Sequence, residues 1–98
     1  MSERSTWERA KADRNTSQQR RRGYQDAAAA FAVGTRIRVE REHRGMTQAA
    51  LAERMGTTQP TVARLEGGGV NPSLDTLQRV ADALGLHLIV DFGETASS

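Results

Sequence analysis

Ninety-eight residues, 37% apolar and 27% charged, suffice for one small domain with a thin core, and so little buried surface favours pairing with a second copy. The chain has no cysteine, which excludes a disulfide framework and any thiolate metal or nucleophile chemistry. The net charge of +2 is unevenly spread: residues 1–24 hold seven basic side chains against three acids, residues 25–98 seven arginines against nine acids.

Thirteen of the fourteen basic residues are arginine, whose planar fork suits phosphate or guanine. The longest purely apolar run, Ala27 to Val33, has seven residues, against the roughly 20 that span a bilayer. The expectation is a cytoplasmic protein with no membrane partner and no small-molecule ligand.

Residues 1–16 are polar, with one aromatic, Trp7, and no helical repeat that builds a core; they read as a flexible segment, disordered or loosely helical. From Ser17 strong helix formers take over, running through Ala27–Ala30 to about Arg44, with Tyr24, Phe31 and Ile37 as large apolar anchors. Gly23 and Gly34 weaken this stretch, so two helices or one bent helix are expected, with an extension at 17–34. Gly45 ends it, and Thr47 caps a short helix through Met55. Gly56 closes that helix, and Thr57 or Thr58 caps the next, whose first turn tolerates Pro60. Gly67–Gly69 ends that helix in turn, and Ser73 caps a last one with Leu74, Leu77, Val80, Ala81 and Leu84 along one face. Beyond Gly85 the period changes to two, so Leu86, Leu88, Val90 and Phe92 would share one face of a strand. A lone strand cannot satisfy its own backbone, so the same strand of a second copy is the expected partner, with Leu88, Val90 and Phe92 at the dimer contact. Residues 93–98 are a tail.

The segment 48–67, QAALAERMGTTQPTVARLEG, carries the decisive pattern. Leu51, Met55, Val62 and Leu65 are apolar where two short helices would face a core. Ala52 is small where the helices approach, and Gly56 occupies a turn in which a positive φ would penalise a Cβ. A small residue, a glycine and a β-branched residue (Val62) at the fifth, ninth and fifteenth places is the spacing of a DNA-binding helix-turn-helix.

Residues 35–92 resemble the Xre, or lambdoid-phage-repressor, type of helix-turn-helix protein, through Met46–Ala52, Gly56–Gln59 and Arg64–Glu66. The resemblance implies an all-α, five-helix repressor-like domain, here with an N-terminal helical or disordered extension and the C-terminal strand. It implies that Gln59–Glu66 enters the major groove of double-stranded DNA. It further implies that Arg41 and Glu66 form a pair tying the first helix to the recognition helix, a structural role. Pro60 departs from the family, which has a small or polar residue there, and one possible base contact goes with it.

Gln59, at the start of the recognition helix, can bond an adenine edge. Thr61 and Arg64 lie on the same outward face, Thr61 against a thymine methyl or in a polar slot, Arg64 on guanine or phosphate. Gln48 and Thr58 stand at helix N-termini, where phosphate binding and simple capping both fit. Other chemistry is thin. His43 and His87 have no acid at metal-ligand spacing, so no metal or other cofactor is expected. No nucleophile elbow or phosphate loop occurs, and the chain reads as a non-enzyme.

The whole arrangement also resembles HigA-type antitoxins, which implies that roughly residues 1–30, with Trp7 and Tyr24 as anchors, cover a RelE- or HigB-like ribonuclease toxin while the dimer represses its own palindromic operator. Toxins of that kind are basic, and residues 1–24 are basic too. The alternative is a stand-alone repressor whose Arg20, Arg21 and Arg22 follow the DNA backbone or only solubilise the chain.

Overall fold

The computed structural model describes residues 6–94, with side chains from residue 17 onward. Four helices follow in order: α1 (Thr6–His43), α2 (Gln48–Met55), α3 (Gln59–Glu66) and α4 (Leu74–Leu84). Among the described residues the five helices read from the sequence are corrected to four, and there is no strand.

The difference lies first in α1, which runs unbroken for 38 residues, about 57 Å at the helical rise. Neither glycine breaks it. A mid-helix glycine costs about 1 kcal/mol, which the flanking alanines, glutamines and arginines outweigh. Gly23 is exposed with open space around it. Gly34 instead marks a close crossing: a Cβ there would strike the Leu65 carbonyl and come within 2.7 Å of the Glu66 carbonyl oxygen. Across the same junction, Gly68, at φ +76°, brings its backbone against Phe31, with a built Cβ only 2.8 Å from the Phe31 Cα. Two glycines therefore let α1 lie directly on the end of α3.

From Ala30 onward, Ala30, Gly34, Ile37 and Arg41 recur at helical spacing as the buried stripe of α1. They close over a core of Leu51, Ala52, Met55, Val62, Leu65, Val80, Ala83 and Leu84, with Val33 and Met46 at its margin. Leu51 and Val62 are wholly enclosed, so truncating Leu51 to alanine costs about 2–5 kcal/mol. Residues 17–29 are all exposed. Tyr24 and Phe31, read as large apolar anchors of this stretch, are 78% and 59% exposed.

After α4, Gly85 takes a left-handed conformation and the chain continues without regular structure to residue 94. Leu86 is held by its N–H to the Ala81 carbonyl, and Leu88 is half-buried. Val90 and Phe92 are exposed, Phe92 at 96%. The expected strand is not formed within one chain because nothing lies beside it to accept its ladder. No described helix is long and apolar enough to cross a membrane.

Candidate nucleic-acid interface

The turn between α2 and α3 is fixed by backbone chemistry. Gly56 adopts φ +73°, ψ 34°, and directs its N–H to the carbonyls of Ala52 and Glu53. Thr57 N–H closes on Ala52 O at 2.9 Å. Ala52 itself is buried. Thr58 then stays extended and caps α3, its hydroxyl accepting from Thr61 N–H at 3.3 Å. Pro60 sits in the first turn, where its missing N–H is no loss. Eight residues of α3 thus turn Val62, Leu65 and Glu66 inward and leave Gln59, Pro60 and Arg64 exposed.

Thr61 is less free than its position suggests. It is half-buried, and its hydroxyl lies 2.8 Å from that of Thr58. These two threonines serve each other in the cap, which leaves the methyl group as the uncommitted part of the Thr61 side chain.

Beneath the exposed face runs a chain of hydrogen bonds. Arg41 donates from Nε to Glu66 Oε2 at 2.6 Å and from Nη2 to Glu66 Oε1 at 3.0 Å, while its Nη1 donates to Met46 O at 2.7 Å. Both side chains are buried, Glu66 at 3% and Arg41 at 9% exposure. The hydrogen bonds to Glu66 hold the Arg41 guanidinium above its ordinary range, against the opposing effect of burial. Gln48 Nε2 donates to Glu66 Oε1 at 3.0 Å, and Gln59 Nε2 donates to Gln48 Oε1 at 2.7 Å. A link therefore passes from α1 through α3 and α2 to the first residue of α3.

This arrangement determines what Gln59 has left to offer. A side-chain amide carries two donors and one acceptor oxygen. One N–H goes to Gln48; the second N–H and Oε1 are uncommitted among the described residues, and these are the two groups that match adenine N7 and N6. Glu66 is neutralised by Arg41, so Arg64 is the one exposed charge of α3.

Gln48, Thr58, Gln59, Thr61 and Arg64 thus gather around the start and outer face of α3, with Ala52, Gly56, Val62, Arg41 and Glu66 behind them. Tyr24 lies away from this face on the exposed part of α1, and the side chain of Trp7 falls outside the described residues. Leu88, Val90 and Phe92 follow α4. Sequence reasoning passed over Gly34 and Gly68 as contact points. The only available signal was that Gly34 falls in register with Ala30, Ile37 and Arg41 on one face. Among the described residues no cluster of His, Asp or Glu could hold a metal.

A helix-turn-helix family model matches residues 37–90. An uncharacterised helix-turn-helix transcriptional regulator of Methanothermobacter thermautotrophicus is 47% identical over 57 residues, 58% of this chain and 83% of that protein. The immunity repressor protein of Bacillus phage phi105 is 42% identical over 62 residues, 63% of this chain and 43% of the repressor. Antitoxin HigA1 of Mycobacterium tuberculosis is 46% identical over 48 residues, 49% of this chain, which spans only 32% of the antitoxin. Among solved structures, the restriction-modification controller protein C.AhdI from Aeromonas hydrophila superposes with a TM-score of 0.60 at 31% identity, covering 62% of this chain and 88% of that one. With the decisive motif, its buried tie and a match over more than half the chain, this protein belongs to the helix-turn-helix family of Xre-type, DNA-binding transcriptional regulators.

Proposed function

We propose that this chain is a sequence-specific repressor that binds a palindromic operator as a two-fold dimer. In this reading Gln59 reads adenine, Arg64 forks onto guanine or grips phosphate, and the Thr61 methyl meets a thymine. Thr58 and the backbone N–H of Gln48 receive phosphates at the open ends of α3 and α2, the Gln48 side chain being committed to Gln59 and Glu66. Two copies would set their α3 helices about 34 Å apart, in successive major grooves. The segment after α4, with Leu88, Val90 and Phe92, joins the copies as a pair of strands.

The observation that carries this reading is the hydrogen-bonded Gln59, braced by Gln48 yet keeping one donor and one acceptor for a base edge. The test is footprinting on the DNA upstream of the protein's own gene. The reading expects protection of a two-fold site at low salt, lost in Arg64→Ala; no protected site on that DNA at any salt would overturn it.

A second reading adds toxin neutralisation. It is favoured by the exposed row of Tyr24, Ala28, Phe31 and Val39 along α1 and by the partial likeness to antitoxin HigA1. A chain lacking residues 1–30 would then lose inhibition of a RelE- or HigB-like ribonuclease while keeping its operator. Equal inhibition by the truncated and full chains would sink that addition.

A further inference from the structure

Alongside the C-terminal segment lies an apolar groove of about 320 Å³ between α1 and α4, lined by Ile37, Leu77, Val80, Leu84 and Leu88, with Arg36 at its rim. That volume is at the lower end of ligand-sized sites and has room for a bulky side chain. The segment that borders it is incomplete in one copy. Among the described residues, no backbone hydrogen bond joins residues 87–94 to another residue's backbone. Its aromatic residue, Phe92, is almost wholly in solvent. Leu86 and Leu88, in contrast, already line the groove.

We infer that the groove receives Phe92 of a second copy. The inference rests on the strand-paired dimer proposed above and names where its side chains go. In an antiparallel pair centred on Val90, residue 92 of one copy stands directly opposite residue 88 of the other. Leu86, Leu88, Val90 and Phe92 share one face of such a ribbon. Directly opposed side chains lie about 5 Å apart at Cβ, so the ring of the incoming Phe92 falls beside Leu88, over the groove. Val90 then meets Val90 across the two-fold axis.

Charge is compatible with this occupant. Asp91 and Glu94 flank Phe92 in the incoming segment; Arg36 and Glu40 line the groove on α1, and Glu40 is shared between Arg36 and Arg44, which leaves one positive charge in excess there. A two-fold axis repeats the contact, so each copy gives one phenylalanine and receives one. Phe92 in the groove also explains why an aromatic residue stands where a monomer has no use for it.

The absence of cysteine from the chain makes the test direct. Three single variants of the full-length protein are prepared: Val90→Cys, Phe92→Cys and Leu77→Cys. Under mild oxidation, Val90→Cys alone should cross-link into covalent dimers, which reports the strand pair. Phe92→Cys mixed with Leu77→Cys, treated with a short bismaleimide linker in place of oxidant because a ring-length contact leaves the two Cβ atoms too far apart for a disulfide, should be joined as a mixed dimer, while neither variant is joined alone. Cross-linking of Val90→Cys without the mixed product would overturn the groove contact and leave the strand pair standing. Failure of Val90→Cys to cross-link would overturn the strand pair itself. Independently, Phe92→Ala should raise the dimer dissociation constant at least tenfold by sedimentation, with the fold intact because the side chain is exposed; an unchanged constant contradicts the inference.

Discussion

Removing the guanidinium of Arg41 isolates the tie beneath α3. In Arg41→Met the buried Glu66 carboxylate loses both of its arginine hydrogen bonds and keeps only that from Gln48. Breaking one side of a buried ion pair costs about 3–5 kcal/mol, because the remaining charge stays enclosed without compensation. With Glu66 only 3% exposed, water cannot relieve it. A domain of this size has about 5–15 kcal/mol of stability, so the variant should lose at least about a fifth of it. At about 4–8 °C per kcal/mol, the melting temperature should fall by roughly 12–40 °C. Urea denaturation followed by circular dichroism gives the free energy directly. The double variant Arg41→Met/Glu66→Leu should recover most of the loss, leaving the Gln48 amide without its acceptor. A single variant within about 1 kcal/mol of the parent, or a double variant no better than the single, would refute the reasoning.

Two further substitutions separate the glycines of α1. Gly34→Ala should destabilise by more than about 2 kcal/mol despite its gain in helix propensity, because its Cβ meets the carbonyls of Leu65 and Glu66; Gly23→Ala, in open space, should stabilise by up to about 1 kcal/mol. Thermal melts check both, and equal effects would remove the contact argument. Hydrogen bonds from Arg44 and then Arg36 hold the Glu40 carboxyl below its ordinary range. A depressed carboxylate stabilises the folded chain above its ordinary range and loses that contribution as acid protonates it. Melting curves of Glu40→Gln and the parent should therefore differ at neutral pH and converge below the ordinary carboxylate range; a constant gap would contradict it.

The helix-turn-helix was legible because its rules are local. Thr47, Thr58 and Ser73 are good caps for the helices that follow them, and Gly56 and Gly85 stop helices in left-handed turns. What escaped depends on partners distant in sequence. Gly34 reads as a helix breaker until α3 is placed against it, and Phe31, an apolar anchor by sequence, lays its backbone against Gly68 while its side chain stays exposed. The link between Gln48 and Gln59 joins two helices, and spacing alone does not say which amide faces which. At the C-terminus, the alternation of Leu86, Leu88, Val90 and Phe92 is a real pattern, but a strand exists only with a neighbour, and one chain does not contain it.

The central claim is that Gln59 reads a base. Sites selected from random duplexes by the parent protein and by Gln59→Ala, followed by titration of each protein on the sites at fixed salt, test it most directly. The account expects Gln59→Ala to lose preference at one adenine-bearing pair in each half-site and to bind the parent's best site more weakly by about 1–3 kcal/mol. Selection of the same sites with the same preferences, or an equal loss of affinity on every duplex, would contradict it.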